Sequence, residues 1–418
     1  MSAYEYDVER TDPFAPARLP ADARVPATKR RTWVQVLVWS LTIVALLGVF
    51  VGVYFFTIRP LGVGTALVAF TAALVPVAIV FAAVRWIDRF TPQPRITLVY
   101  AFVYGAAGSV ALTFFLGGIF TTWITPEDAT ETVSSFLGAV VQAPVVEESM
   151  KAAGLLLLLL WGRRFIGGPI DGVVYAALIA GGFAFTENIL YFGRSFQEAQ
   201  TAGTVEVFWQ TFLLRGLLSP FAHVSFTSLC GLGLGIAAER RSILLYFGLG
   251  LGGLGLGMCL HALWNGSTFL IPVDPTDPLA GFLRYYATIQ LPIFLLLTAI
   301  VVFLRLRERR ILRRELSAYG RAGWFSTGEV DMLISLRRRG RAERWAGRHG
   351  AVARMAMHDL ILAAVELGMN RHGVQFARHT ASSRARERTR ERELLERITA
   401  DRRQVSALTR PVVRTATP

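Results

Sequence analysis

The sequence predicts an all-α fold, a polytopic membrane bundle of about eight transmembrane helices followed by a helical, Arg-rich cytoplasmic tail. Three observations carry this reading. Of the 418 residues, 53% are hydrophobic and only 18% charged, and the mean hydropathy is +0.44, more apolar than soluble domains are. Eight tracts of about 20 residues are free, or nearly free, of interior charge, the length that crosses a hydrocarbon core as helix. The net charge of +14 is confined to one end: residues 305–418 hold 26 Arg, no Lys and 12 acidic residues, while the other 304 residues balance 18 basic against 18 acidic. The same tracts exclude a soluble enzyme, a disordered chain and a β-barrel.

In chain order, residues 1–31 are rich in Ala, Pro and charge, end in Lys29, Arg30 and Arg31, and read as a disordered cytoplasmic N-terminal segment. The apolar run 33–57 is too long for a signal-peptide core and is followed by no small-residue cleavage site, so it stays as an anchor. Further tracts lie at 61–84, 96–120, 135–161, 172–192, 219–238, 243–269 and 282–304. They delimit a transmembrane domain over 32–305 and a tail over 306–418, helical and partly disordered. With a cytoplasmic N-terminus, the inner connections carry Arg85, Arg89 and Arg95, then Arg163 and Arg164, then Arg240 and Arg241, then the tail. Connections 121–134 and 270–281 carry no Lys or Arg, and 193–218 carries only Arg194 and Arg215. This obeys the positive-inside rule and puts both termini of a multi-pass cell-membrane protein in the cytoplasm.

Several local features have plain explanations. The stretch TVEVFWQTFLLRGL at 204–217 has the aromatic and polar alternation of an amphipathic helix lying in the outer interface. Gly250, Gly252 and Gly255 satisfy GxGxxG, but a dinucleotide site needs a preceding strand; the pairs Gly248 with Gly252 and Gly253 with Gly257 instead predict close helix packing. Asp171 is expected to cap the N-terminus of the fifth helix. Cys230 and Cys259 fall inside apolar tracts, where a disulfide framework is not expected. The tail's arginines attract anionic lipid headgroups, and without a reading motif no nucleic-acid partner is expected.

Ionisable groups inside transmembrane helices cost a few kcal/mol each and mark function. Here they gather on four consecutive helices: Glu147, Glu148 and Lys151 in EESMK, Glu187 and Asn188 in FAFTEN, His223 in PFAHVSF, and His261 with Asn265 in HALWN. The helix rise places them at compatible depth, Glu147 near the midplane and the others in the outer half. Glu147 and Lys151 share a helix face, as do His261 and Asn265, and Lys151 neutralises one of the carboxylates. Two imidazoles and a carboxylate are the ligands of a catalytic zinc with an open position, and a neighbouring carboxylate can take a proton from water. The set fits peptide-bond hydrolysis within the bilayer. There is no HExxH, so the ligands come from separate helices. A proton-coupled transporter built on the same Glu and His groups is the alternative, and a non-catalytic scaffold binding a partner helix through the glycine face is a third.

In these four motifs, over roughly residues 85–305, the sequence resembles the PrsW family of intramembrane metalloproteases, relatives of the CAAX-processing and bacteriocin-processing proteases. The resemblance implies an eight-helix protease with Glu147 as general base and Glu148, His223, His261 and Asn265 around the scissile bond. It leaves open whether zinc is held by His223, His261 and Glu187 or whether Glu147 activates water unaided. It also implies membrane-anchored protein substrates, and PrsW-like proteins are associated with cleavage of anti-sigma factors.

Overall fold

The structure, a computed structural model, describes residues 32–161, 165–270, 278–374 and 381–409. The expected lead-in over 1–31, Arg163 and Arg164, and most of connection 270–281 lie outside them. The described residues form helices and no strands, and the chain divides into two compact units. The first comprises Lys29–Asp88 and Pro92–Leu304; the second takes Arg89–Thr91 and the chain from Arg305 on.

The first unit is built from α1 (Thr32–Val53), α2 (Val63–Ile87), α3 (Arg95–Val103, continuing to Ile124), α4 (Ala143–Trp161), α5 (Pro169–Ala202), α6 (Ala222–Arg240), α7 (Leu251–Leu270) and the start of α8 (Leu291–Arg321). Among the described residues seven helices are long and apolar enough to cross a membrane, so the chain is a multi-pass membrane protein. The expected fourth span is not among the seven. It is nonetheless helical from Glu131 through Trp161, and it differs from the others in carrying Glu147, Glu148 and Lys151. The stretch before α6 is also helical, Glu206–Thr211 and then Phe212–Leu218, and breaks at Ser219–Phe221.

Proline shapes these helices in a regular way. Of six wider turns among the described residues, four, Tyr54–Ile58, Leu137–Gln142, Phe212–Leu218 and Tyr286–Gln290, end two residues before a proline: Pro60, Pro144, Pro220 and Pro292; Tyr104–Ser109 and Tyr246–Gly250 do not. A proline ring clashes with the carbonyl four residues earlier and supplies no N–H. In every case that carbonyl falls inside the wide turn, where the loosened ladder makes room for the ring.

In lipid, burying an apolar side chain against another helix gains little over burying it in acyl chains, so close packing and polar contacts hold such a bundle together. α5 is its centre, flanked by α2, α3, α4 and α6, with most of its length buried. Its glycines allow contact at backbone distance: a methyl at Gly172 would overlap the carbonyl of Gly231 on α6, and one at Gly182 would overlap that of Phe102 on α3. Gly253 and Gly257 of α7 face the carbonyls of Leu229 and Phe226 on α6 in the same way. The other expected pair does not pack, since nothing lies within 4 Å of a methyl added at Gly248 or Gly252. Asp171 also differs from expectation. Gly168 is the N-cap of α5, and Asp171, in the first turn, accepts from the Gly167 N–H at 2.9 Å and from Gln93 Nε2 at 2.7 Å. Cys230 and Cys259 are free thiols.

The second unit continues α8 and adds α9 (Thr327–Leu333), α10 (Leu336–Gly347), α11 (Ala351–Val374) and α12 (Ala381–Thr409). It has its own core of Leu312, Leu316, Tyr319, Leu333, Ile361, Leu395 and Ile398 among others. A capping box of Ser326 and Glu329 starts α9. Arg339 is buried, donates to the Leu333 carbonyl at 2.6 Å and the Phe90 carbonyl at 3.0 Å, and lies over the Phe90 ring. Burial brings its pKa down to about 10, so the charge persists at neutral pH.

Replacing Gly172 or Gly231 with Leu forces α5 and α6 apart. Each change is expected to lower stability by at least about 3 kcal/mol, whereas Gly252→Leu stays within about 0.5 kcal/mol. Thermal melts of the detergent-solubilised variants check the contrast.

Candidate active site

α4, α5, α6 and α7 bring their ionisable residues to one place. Lys151 on α4 is fully buried, and its Nζ stands 3.2 Å from Glu147 Oε2, 2.7 Å from Glu148 Oε1 and 3.0 Å from His223 Nδ1, over the face of Phe183 at 4.0 Å. Lys151 thus bridges both carboxylates of its own helix rather than neutralising one. The spacing explains it: positions 147 and 148 lie four and three residues before 151, and both reach its turn.

The two carboxylates are not equivalent. Glu148 accepts from Lys151 and His261 Nδ1 (3.1 Å) at one oxygen and from Thr227 Oγ1 (2.7 Å) at the other, and its side chain is 1% exposed. Its acceptor capacity is largely used. Among the described residues Glu147 is hydrogen-bonded only to Lys151, and its side chain is 11% exposed. Spare lone pairs and partial access make Glu147 the more available of the two.

The imidazoles are held in matching fashion. His261 has Nδ1 on Glu148 and turns Nε2 toward Glu147 Oε2 at 3.9 Å; its ring stacks on Phe226. His223 has Nε2 on Glu187 Oε2 at 2.8 Å and turns Nδ1 toward Glu147 Oε2 at 4.0 Å. One ligand atom each from Glu147, His223 and His261 lies within 4.8 Å of the others, so these three could hold a metal ion. A carboxylate on the far nitrogen of each ring is the usual outer support of metal-binding histidine. The metal set expected from sequence was His223, His261 and Glu187. Glu187 instead sits on the far side of His223, clamped by Arg215 Nη2 at 2.6 Å, and Glu147 faces both rings.

Asn265 lies one turn beyond His261 and donates to the Ala139 carbonyl at 2.8 Å, tying α7 to the wide turn that leads into α4. Asn188 accepts from Arg215 Nε at 3.1 Å, and the Arg215 guanidinium lies 3.7 Å over Tyr191. A narrow cleft reaches His223 past Val77, Ala184, Asn188, Arg215 and Trp264. Sequence reasoning missed Arg215, Thr227 and Phe183 as members of the site. Thr227 could have been found, since it follows His223 by four residues and shares its face. Arg215 had been counted only as a connection residue.

A buried charge left without its partner is costly. Lys151→Met is therefore expected to destabilise the protein by about 3–5 kcal/mol, and adding Glu148→Gln to recover part of that loss. Melting temperatures of the single and double variants test the coupling.

Residues 93–297 match the family model described as PrsW family intramembrane metalloprotease. A relative named Protease PrsW, from Clostridioides difficile (strain 630), is 30% identical over 162 residues, which are 39% of this chain and 63% of the relative. The chain thus spans somewhat less than two thirds of the length of that relative. No solved structure matches. The matched stretch contains α4 through α7 and every residue of the cluster, and over it the chain is similar to the PrsW family of intramembrane metalloproteases.

Proposed function

We propose that the protein is an intramembrane endopeptidase that hydrolyses membrane-anchored protein substrates, with Glu147 at the centre of its chemistry. The observation that carries this is the arrangement of the imidazoles: each has one nitrogen on a carboxylate and the other 3.9–4.0 Å from Glu147 Oε2, that of His223 being also 3.0 Å from Lys151 Nζ. The donor set suits zinc, which His223, His261 and one oxygen of Glu147 would hold, with Glu148 and Glu187 as outer supports. When bound, zinc brings the pKa of its water to about 7. The other oxygen of Glu147, which has no hydrogen bond among the described residues, would accept the proton of the attacking water and return it to the leaving amine. Glu148 fixes the tautomer of His261, and Glu187, clamped by Arg215, does the same for His223. Lys151 compensates the paired carboxylates, and Asn265 positions α4 through Ala139.

The substrate that fits is a single-span protein such as an anti-sigma factor, and the arginines of the second unit are read as binding anionic lipid. The arginine distribution supports a reading with both termini in the cytoplasm. A proton-coupled transporter is less well supported. A relay needs titratable groups leading to both faces, whereas the contacts around Glu147 run from Arg215 to Thr227 and end there among the described residues.

Purified protein is expected to contain about one zinc per chain, and His261→Ala to abolish it. Metal analysis of the two proteins checks this. Glu147→Gln is expected to lower cleavage of a co-expressed single-span anti-sigma factor by at least about a thousandfold. Undiminished cleavage by that variant would sink the assignment of Glu147.

A further inference from the structure

Some arginines of the second unit have acidic partners among the described residues. Glu315 takes Arg314 and Arg371, Asp331 takes Arg338, Glu366 and Glu393 take Arg390, and Glu329 takes Arg402. Others have none, among them Arg309, Arg310 and Arg313 on α8, Arg386, Arg388, Arg392 and Arg403 on α12, and a row along α10. Arg337, Arg341, Arg344 and Arg348 are all exposed and have no ion pair among the described residues. Their spacing of four, three and four keeps them within about 60° of one another around the helix. The opposite face buries Arg339 and Ala346 in the core, so the orientation of the stripe is fixed by packing. Beside it, at the turn into α11, the exposed side chains include the apolar Trp345, Val352 and Met355, interleaved with His349 and Arg354.

A rigid row of unpaired guanidinium groups edged by an indole and two aliphatic side chains has the make-up of a helix that lies on a lipid surface. The guanidiniums match phosphate oxygens, and the indole suits the headgroup boundary. A chain anchored by membrane helices is never far from such a surface, and each arginine near it adds to the attraction. An acidic protein would satisfy the charges but gives no reason for exposed Trp345 and Met355 at the same edge.

We propose that α10, through Arg337, Arg341, Arg344, Arg348 and Trp345, is the docking face of the second unit for anionic lipid headgroups; the proposal rests on the lipid reading given above and assigns it to one helix. The test is hydrogen–deuterium exchange of the full-length protein in nanodiscs of phosphatidylcholine alone and with added phosphatidylglycerol. In the anionic discs the amides of α10 are expected to exchange about tenfold more slowly. The difference is expected to vanish at about 0.5 M NaCl and in the quadruple Arg→Gln variant. Trp345→Ala, a milder change should the quadruple variant misfold, is expected to lose at least half of it. Slowing confined to α8 or α12 would overturn the assignment to α10 while keeping the attraction of the unit for anionic lipid. Equal exchange throughout the unit in both discs would overturn both.

Discussion

Three carboxylates and two cations meet at one point of a helical bundle whose surroundings are apolar, and each can remain charged there only because the others are present. Glu147, Glu148, Glu187, Lys151 and Arg215 come from α4, α5 and the turn before α6, and His223, His261 and Thr227 close the remaining hydrogen bonds from α6 and α7. The helices cannot shift by a turn without stranding a charge in a medium that offers no water. With neutral imidazoles the formal balance is one negative charge, which favours a further cation beside Glu147. The requirement that holds the bundle in register thus also leaves the site with one negative charge in excess.

The two units answer to different physics. In the first, glycine contacts and buried polar groups do the holding, because lipid removes most of the advantage of apolar burial. In the second, Leu, Ile and Ala fill a core as in a water-soluble domain, and charge is kept largely to the outside. Arg305, Glu308, Glu315 and Arg339 are buried exceptions, Arg339 donating to the Leu333 and Phe90 carbonyls. Residues Arg89–Thr91, between α2 and α3, share this second environment, with Thr91 donating to Glu308 at 2.6 Å.

Helix-length apolar tracts and the expense of charge within them were legible because both are properties of one segment at a time. That is why EESMK, FAFTEN, His223 and HALWN could be named from sequence. What could not be read is azimuth between helices. Periodicity says that Glu147 and Lys151 share a face but not which side of His223 that face meets, so Glu187 rather than Glu147 was grouped with the imidazoles. Arg215 was hidden for a related reason: the wide turn before Pro220 carries a connection residue back to α5. Among the glycines, 253 and 257 meet α6 whereas 248 and 252 meet nothing, a distinction invisible in their common spacing.

The backbone contacts among α5, α6 and α7 bear on how such a protein could move. Helices that touch through carbonyls and glycine α-carbons have no side chains between them whose rotamer changes could absorb a displacement. Movement within that trio would have to be wholesale, while the loosened ladders before Pro144 and Pro220 offer softer joints. The joint before Pro144 leads into the helix of Glu147, and the one before Pro220 carries Arg215. The stiff helices therefore serve as a bench holding the two imidazoles, and the compliance is concentrated beside the carboxylate and the guanidinium.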